Sequence, residues 1–172
     1  MLRLRPLTWP QDRDALARLD VSFATAVVDA VERRGPLELA LVERRVDPPL
    51  TKRYAVDWDA VAAAPHVTVA ERDGMVVGVA AVTWQAWNRR AELSHLYVDA
   101  AARGRGVGAG LLRAAEAAAR SMGARRLWVE TQQVNAPAIR FYLREGFTCC
   151  GWDAALYEDE REVAVFFVAP TT

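Results

Sequence analysis

One segment constrains this chain more than any other: Val98-Asp99-Ala100-Ala101-Ala102-Arg103-Gly104-Arg105-Gly106-Val107-Gly108-Ala109-Gly110-Leu111-Leu112. It reads as a strand that feeds a glycine-rich turn, which in turn feeds a helix. Glycines at 104, 106 and 108 let the backbone approach a ligand closely, and the unbonded N–H groups of a helix's first turn, aided by its dipole, make an anion site. The expected ligand carries phosphate. A P-loop needs a lysine and a serine or threonine after its last glycine; here Ala109-Gly110 follows Gly108, so that reading fails. A dinucleotide fold wants its glycines after the first strand and an acidic ribose reader about 20 residues on. Glu130 ends a strand near that distance, but the glycines come late in the chain, which weakens this reading without removing it. The blandest alternative is a tight turn that only caps a helix.

The rest of the chain supplies strands around this turn. Leu2 and Leu4 alternate with arginines until Pro6 ends a first strand, and Thr8 to Asp20 reads as a helix with Pro10 in its first turn. Two runs between Ser22 and Val46 flank Gly35-Pro36 as a hairpin; the second starts Leu37-Glu38-Leu39-Ala40-Leu41, and Asp47-Pro48-Pro49 is expected to stop it. Val67 and Val69 lead to Asp73-Gly74 and an apolar run from Met75 to Trp84, which predicts strand, tight turn and buried strand. A strand over Ala91 to Val98 enters the glycine turn. The helix after it carries Val107, Leu111, Leu112, Ala115, Ala119 and Met122 on one face and ends at Gly123. Leu127-Trp128-Val129 is a short strand, a helix runs from Asn135 to Gly146, and two strands follow around 148–157 and 163–168. No repeat or flexible linker interrupts this, so one α/β domain over 1–172 on a mixed sheet is expected.

Composition excludes several classes of partner. The 22 Lys plus Arg cancel the 22 Asp plus Glu, so the chain lacks the positive field of a general nucleic-acid binder or a polybasic membrane tether. With 52% hydrophobic and 26% charged residues it can bury a full core. No apolar stretch approaches the roughly 20 residues of a membrane span. The first ten residues reach Pro6 and Pro10 too early for a secretion signal, which predicts a cytoplasmic protein. Cys149 and Cys150 are adjacent, so a mutual disulfide would be strained; they read as packing residues in a reducing compartment. His66 and His95 are the only histidines and sit at no ligand spacing, so no metal is expected.

Arg103-Gly104-Arg105-Gly106-Val107-Gly108 resembles the R/Q-x-x-G-x-G/A signature of the GCN5-related N-acetyltransferases. The strand Glu92-Leu93-Ser94-His95-Leu96-Tyr97-Val98 before it and Asn135-Ala136-Pro137-Ala138-Ile139-Arg140-Phe141-Tyr142 after it look like their counterparts in that family. The resemblance implies a mixed, mostly antiparallel central sheet flanked by helices, with a coenzyme-binding core at about 66–168. It implies acetyl-coenzyme A as co-substrate, its pyrophosphate held by Arg103, Gly104, Arg105, Gly106, Val107 and Gly108. It also implies a carbonyl polarised by backbone amides at Leu96, Tyr97 and Val98, a pantetheine contact at Asn135, and Tyr142 as the donor that protonates the leaving thiolate. A phenol with a pKa near 10 can do so. Asn135 also reads as a plain helix N-cap, and Tyr142 as a core aromatic.

For the base, Glu92 matches the strand position where some members of the family carry a glutamate. Strand alternation places Glu92, Ser94, Leu96 and Val98 on one side and His95 and Tyr97 on the other. His95 has the better intrinsic pKa, yet its neighbours Leu93, Leu96 and Tyr97 suit a packed residue. Glu130 is a further acidic candidate.

Further stretches resemble one branch of the family, the streptothricin acetyltransferases: Val46-Asp47-Pro48-Pro49-Leu50-Thr51-Lys52, Ala86-Trp87-Asn88-Arg89-Arg90, and Gly146-Phe147-Thr148 with Cys150-Gly151 and Asp153. This implies a primary amine of a small cationic antibiotic as acceptor. Such an acceptor should meet carboxylates and aromatic faces, for which Trp87, Asp47 and Asp153 lead, followed by Asp20, Asp29, Trp84 and Tyr157. Ser94-His95 stands where the branch is expected to carry an acidic pair. That leaves open another amine (a polyamine, an aminoglycoside or a protein N-terminus) or a non-catalytic acyl-coenzyme A sensor. A homodimer is compatible with a chain of this kind.

Overall fold

The computed structural model describes the chain apart from Leu37, Glu160 and Thr172, so the first residue of the second hairpin run lies outside the described residues. In chain order the elements are β1 (Leu2–Pro6), α1 (Arg13–Ala17), β2 (Phe23–Arg33), β3 (Leu39–Lys52), α2 (Trp58–Ala62), β4 (His66–Arg72), β5 (Met75–Gln85), β6 (Arg90–Val98), α3 (Val107–Ser121), β7 (Arg126–Gln132), α4 (Ala136–Arg144), β8 (Thr148–Asp153) and β9 (Ala164–Pro170). They fall into two compact units, Met1–Ser22 with Arg53–Trp128 and Pro170–Thr172, and Phe23–Lys52 with Val129–Ala169. Strand β7 contributes residues to both.

In the first unit the strand order is β1-β4-β5-β6-β7. The first three pairings are antiparallel and β6 with β7 is parallel, which makes the sheet mixed and mostly antiparallel, as expected. Asp73 and Gly74 both take positive φ, 53° and 78°, the conformation of a primed two-residue hairpin turn. Helix α3 covers one face. A Cβ on Gly78 would lie 2.8 Å from the Tyr97 carbonyl oxygen, 3.0 Å from Leu111 and 3.3 Å from Val107, so β5 needs a glycine where the helix crosses it. On the other face Val69, Val79 and Ala81 form one fully buried cluster with Leu16 of α1 and Val61 of α2.

Two helices there differ from the sequence reading. Helix α1 spans only Arg13–Ala17, because the Asp12 carboxylate is bound by Arg5 and the Thr8 N–H and the chain from Trp9 to Asp12 is turn. The Arg5 guanidinium holds that carboxyl below the usual aspartate range. Helix α2 was not expected at all; Asp57 caps it by accepting from the Asp59 and Ala60 N–H groups, and Val61 anchors it in the core.

The second unit holds the β2–β3 hairpin and the order β7-β9-β8. Pro48 and Pro49 do not stop the hairpin. Pairing breaks between Val27↔Arg45 and Thr25↔Leu50 and resumes through Lys52, the irregularity absorbing two residues that cannot donate to the ladder. Helix α4 packs on β2, where the Asp29 N–H donates to the Gln133 carbonyl and the buried Asp29 carboxylate accepts from Arg140 at 2.9 and 3.1 Å. Arg140 also reaches Glu43 at 2.7 Å. Cys149 and Cys150 are exposed rather than packed, because Cys150 is an extra residue between the pairs Cys149↔Phe167 and Gly151↔Phe166. Strand β8 also ends at Asp153, earlier than expected. Among the described residues no helix is long and apolar enough to cross a membrane.

Candidate active site

Strand β6 carries two of the acid–base candidates, Glu92 and His95, and leads into the glycine turn. Its pairing with β5 jumps from Leu93↔Val82 to His95↔Ala81, so Ser94 is a bulge residue; its hydroxyl donates to the Ala81 carbonyl at 3.2 Å. One extra residue shifts the alternation by one. Glu92 and His95 therefore share a face with Tyr97, opposite Thr83, Ala81 and Val79, while Leu93 and Leu96 face the α3 side. The expected split of Glu92 from His95 is thus corrected. Parallel pairing of β6 with β7 covers Arg90–Glu92 against Arg126–Trp128, and Leu96, Tyr97 and Val98 lie beyond its last pair. Glu92 accepts a hydrogen bond from the Gln85 amide at 3.2 Å.

After β6, the Asp99 N–H donates to the Val77 carbonyl at 3.0 Å, and its carboxylate caps a short 3-10 turn over Ala100–Ala102. Arg103 then braces the loop. Its guanidinium donates to the carbonyls of Val98 (3.0 Å), Ser22 (2.6 Å) and Asp20 (3.3 Å), so this side chain holds the turn's shape. Gly104 and Gly106 take φ of 71° and 79°, and a Cβ on either would meet nothing within 4 Å. Backbone conformation, not crowding, is what demands glycine at these two positions.

Gly106 is the N-cap of α3 and supplies no side-chain cap, the helix has no acidic residue in its first turn, and the Gly110 N–H donates to the Gly106 carbonyl at 3.0 Å. The N–H groups of Val107, Gly108 and Ala109 precede that bond and have no intrahelical acceptor. They form a donor cluster at the positive end of a fifteen-residue helix.

His95 is partly buried, its Nδ1 lies 3.3 Å from the Ser94 hydroxyl oxygen, and its ring centroid is 5.8 Å from that of Tyr97. Desolvation lowers its pKa below the ordinary 6.5, which keeps the imidazole neutral at pH 7. The unfolded chain binds this proton more readily. The contribution to stability is therefore complete above the unfolded value of 6.5 and is lost as pH falls from there through the folded pKa. Proton NMR should show the His95 resonances titrating with a midpoint below 6.5; a midpoint at or above 6.5 would contradict the burial assigned to it.

In the second unit, Asn135 caps α4 by accepting the Ala138 N–H at 3.2 Å. Tyr142 is buried on that helix among Phe141, Phe147 and Phe167, with centroids 5.4, 5.5 and 6.2 Å away. Glu130 on β7 accepts from the Tyr157 hydroxyl.

The acceptor candidates separate by what already holds them. Asp29 is tied to Arg140 and is a strut of its unit. Asp20 accepts from the hydroxyl and N–H of Ser22, which lowers its pKa. Asp153 caps a turn through the Ala155 N–H at 2.8 Å. Asp47 is exposed on β3, and Trp87, on a 3-10 turn over Ala86–Asn88, is 86% exposed. Sequence reasoning missed Arg72, whose Nη2 donates to the Arg105 carbonyl at 3.1 Å. No local pattern announces it, since the contact depends on β4 ending beside α3.

The model of the acetyltransferase (GNAT) family matches residues 27–147. Streptothricin acetyltransferase of Streptomyces lavendulae is 39% identical over 173 aligned residues, which cover 94% of this chain and 91% of that protein. Among solved structures, a nourseothricin acetyltransferase superposes with a TM-score of 0.90 at 39% identity, covering 99% of both chains. A Bacillus anthracis str. Ames protein crystallised with acetyl coenzyme A superposes with a TM-score of 0.84 over 99% of this chain and 98% of that one; at 24% identity the likeness is one of fold.

Proposed function

We propose, from the premise that this chain belongs to the GNAT acetyltransferase family, that it transfers the acetyl group of acetyl-coenzyme A to a primary amine of a streptothricin-type antibiotic, in the cytoplasm and with residues 1–172 acting as one catalytic domain. The observation that carries the substrate class is the 39% identity to a streptothricin acetyltransferase along nearly the whole of both chains. The uncapped start of α3 supports the coenzyme: its donors suit a pyrophosphate, and no acidic side chain in the first turn opposes one.

Each step then has a residue assigned to it. Glu92 takes a proton from the acceptor ammonium, leaving a neutral amine to attack the thioester carbon. Backbone N–H groups at Leu96, Tyr97 and Val98 stabilise the charge that develops on the carbonyl oxygen. As the carbon–sulfur bond breaks, Tyr142 gives its phenolic proton to the thiolate, the acylated nitrogen gives up its second proton and the phenolate takes one back, which leaves a neutral amide and a free thiol, while Asn135 steadies the pantetheine arm. Asp47, Asp153 and Trp87 attract the cationic acceptor. A second reading keeps the chemistry and changes the amine, and the observation favouring it is Ser94-His95 at the bulge of β6.

Thiol release from acetyl-coenzyme A, followed colorimetrically with and without streptothricin, tests the proposal. Release should depend on the antibiotic and yield one acetylated product by mass spectrometry. A rate indifferent to the antibiotic would overturn the substrate and leave the family untouched.

A further inference from the structure

The turn is flanked by a cation that the reaction scheme does not use. Arg72 closes β4 immediately before the Asp73-Gly74 turn. It lies two residues after Ala70, which pairs with Gly78, and the Gly78 face is the one that carries Val107 and Leu111 of α3. The side chain therefore rises on the helix side, at the helix's N-terminal end, where Nη2 meets the Arg105 carbonyl at 3.1 Å. A second tie fixes the same juxtaposition. Val77 is an extra residue in β5, between Ala70↔Gly78 and Glu71↔Val76, and its carbonyl accepts the Asp99 N–H at 3.0 Å. The end of the β4–β5 hairpin is thus joined to the turn on both sides of the Arg103 brace.

The charges at this place do not balance locally. Glu71 is occupied by Arg5 at 2.7 Å, and Asp73 pairs with the Met1 amino group at 3.3 Å. Among the described residues neither Arg72 nor Arg105 forms an ion pair, and the first turn of α3 adds positive dipole without an acidic side chain. Two guanidinium groups beside an uncapped helix start suit a ligand with more negative charge than one pyrophosphate held by amides.

We propose that Arg72 reads the 3′-phosphate of coenzyme A, the phosphate that the amides of the turn do not hold. This rests on the coenzyme reading above and adds to it a residue that separates coenzyme A from its dephosphorylated form. The contact is a charge-assisted hydrogen bond from the Arg72 N–H groups to a phosphate dianion, while Nη2 keeps the turn through Arg105.

Calorimetric titration of the full chain with coenzyme A and with 3′-dephospho-coenzyme A tests it. The unaltered chain should prefer the phosphorylated ligand by about tenfold, the size of one charge-assisted contact. Arg72→Gln keeps an N–H donor for the Arg105 carbonyl and removes the charge. It should bring the preference close to one while changing affinity for the dephosphorylated ligand by no more than about twofold, and Arg72→Lys should restore part of the preference. An unchanged preference in Arg72→Gln overturns the proposal, as does equal weakening of both ligands, which would make Arg72 only a strut. Binding of neither ligand by the unaltered chain would overturn the coenzyme reading itself, and this inference with it.

Discussion

Tyr142→Phe is expected to lower kcat by about a hundredfold or more while the protein folds and binds coenzyme as before. Removing a general acid from a group-transfer step forfeits on the order of 10²–10⁴ in rate. The substitution is informative because of where the ring sits. Tyr142 is buried among Phe141, Phe147 and Phe167, so truncation to alanine would open a cavity in the second unit and confuse lost chemistry with lost packing. Phenylalanine keeps every ring contact and deletes one hydroxyl. Steady-state thiol release, coenzyme titration and a thermal melt then separate the roles: rate should fall, while affinity stays within about twofold and the melting temperature drops by no more than about five degrees, the size of one lost hydrogen bond. Unchanged turnover would reduce Tyr142 to a core aromatic. If the unaltered chain itself shows no turnover yet binds acetyl-coenzyme A, it is a sensor that kept the turn.

Several elements of each unit were legible in sequence because their signals are local. Asn135 and Pro137 mark the start of α4 and Gly146 its end, Gly123 closes α3 with a φ of 75°, and Asp73-Gly74 fixes the β4–β5 hairpin. What was not legible depends on partners far along the chain. The bulge at Ser94 exists only in the register of β6 against β5, and it places Glu92 and His95 on one face although alternation within β6 alone separates them. Pro48 and Pro49 look like the end of a strand until Leu50, Thr51 and Lys52 resume pairing with the start of β2. The hexapeptide does not show that the Arg103 guanidinium also donates to the carbonyls of Asp20 and Ser22, 83 and 81 residues back in the chain. The glycine turn itself was the most legible part, because glycine is the residue that takes the positive φ of Gly104 and Gly106 without strain.

That legibility gives the second large effect. Gly106→Glu should weaken acetyl-coenzyme A binding by about 100- to 1,000-fold, and a matched set of variants divides the loss into its causes. The first cause is conformational: Gly106 has a φ of 79°, and any side chain there costs roughly 1–2 kcal/mol. Gly106→Ala measures this cost without crowding, since a Cβ at that position meets nothing within 4 Å. Gly123 is the control, with a φ of 75° and equally open surroundings at the other end of α3. Gly123→Ala should lower the melting temperature about as much as Gly106→Ala and leave coenzyme affinity unchanged. The second cause is charge. A carboxylate at the N-cap of α3 would accept the donors of Val107, Gly108 and Ala109 and gain from the helix dipole, so Gly106→Glu should be no less stable than Gly106→Ala. The same carboxylate competes with the pyrophosphate for those donors and repels it, which adds about 2 kcal/mol against binding. Stability and affinity should thus move in opposite directions between the alanine and glutamate variants. Equal coenzyme affinity in the two would mean that the phosphates bind elsewhere than at the start of α3.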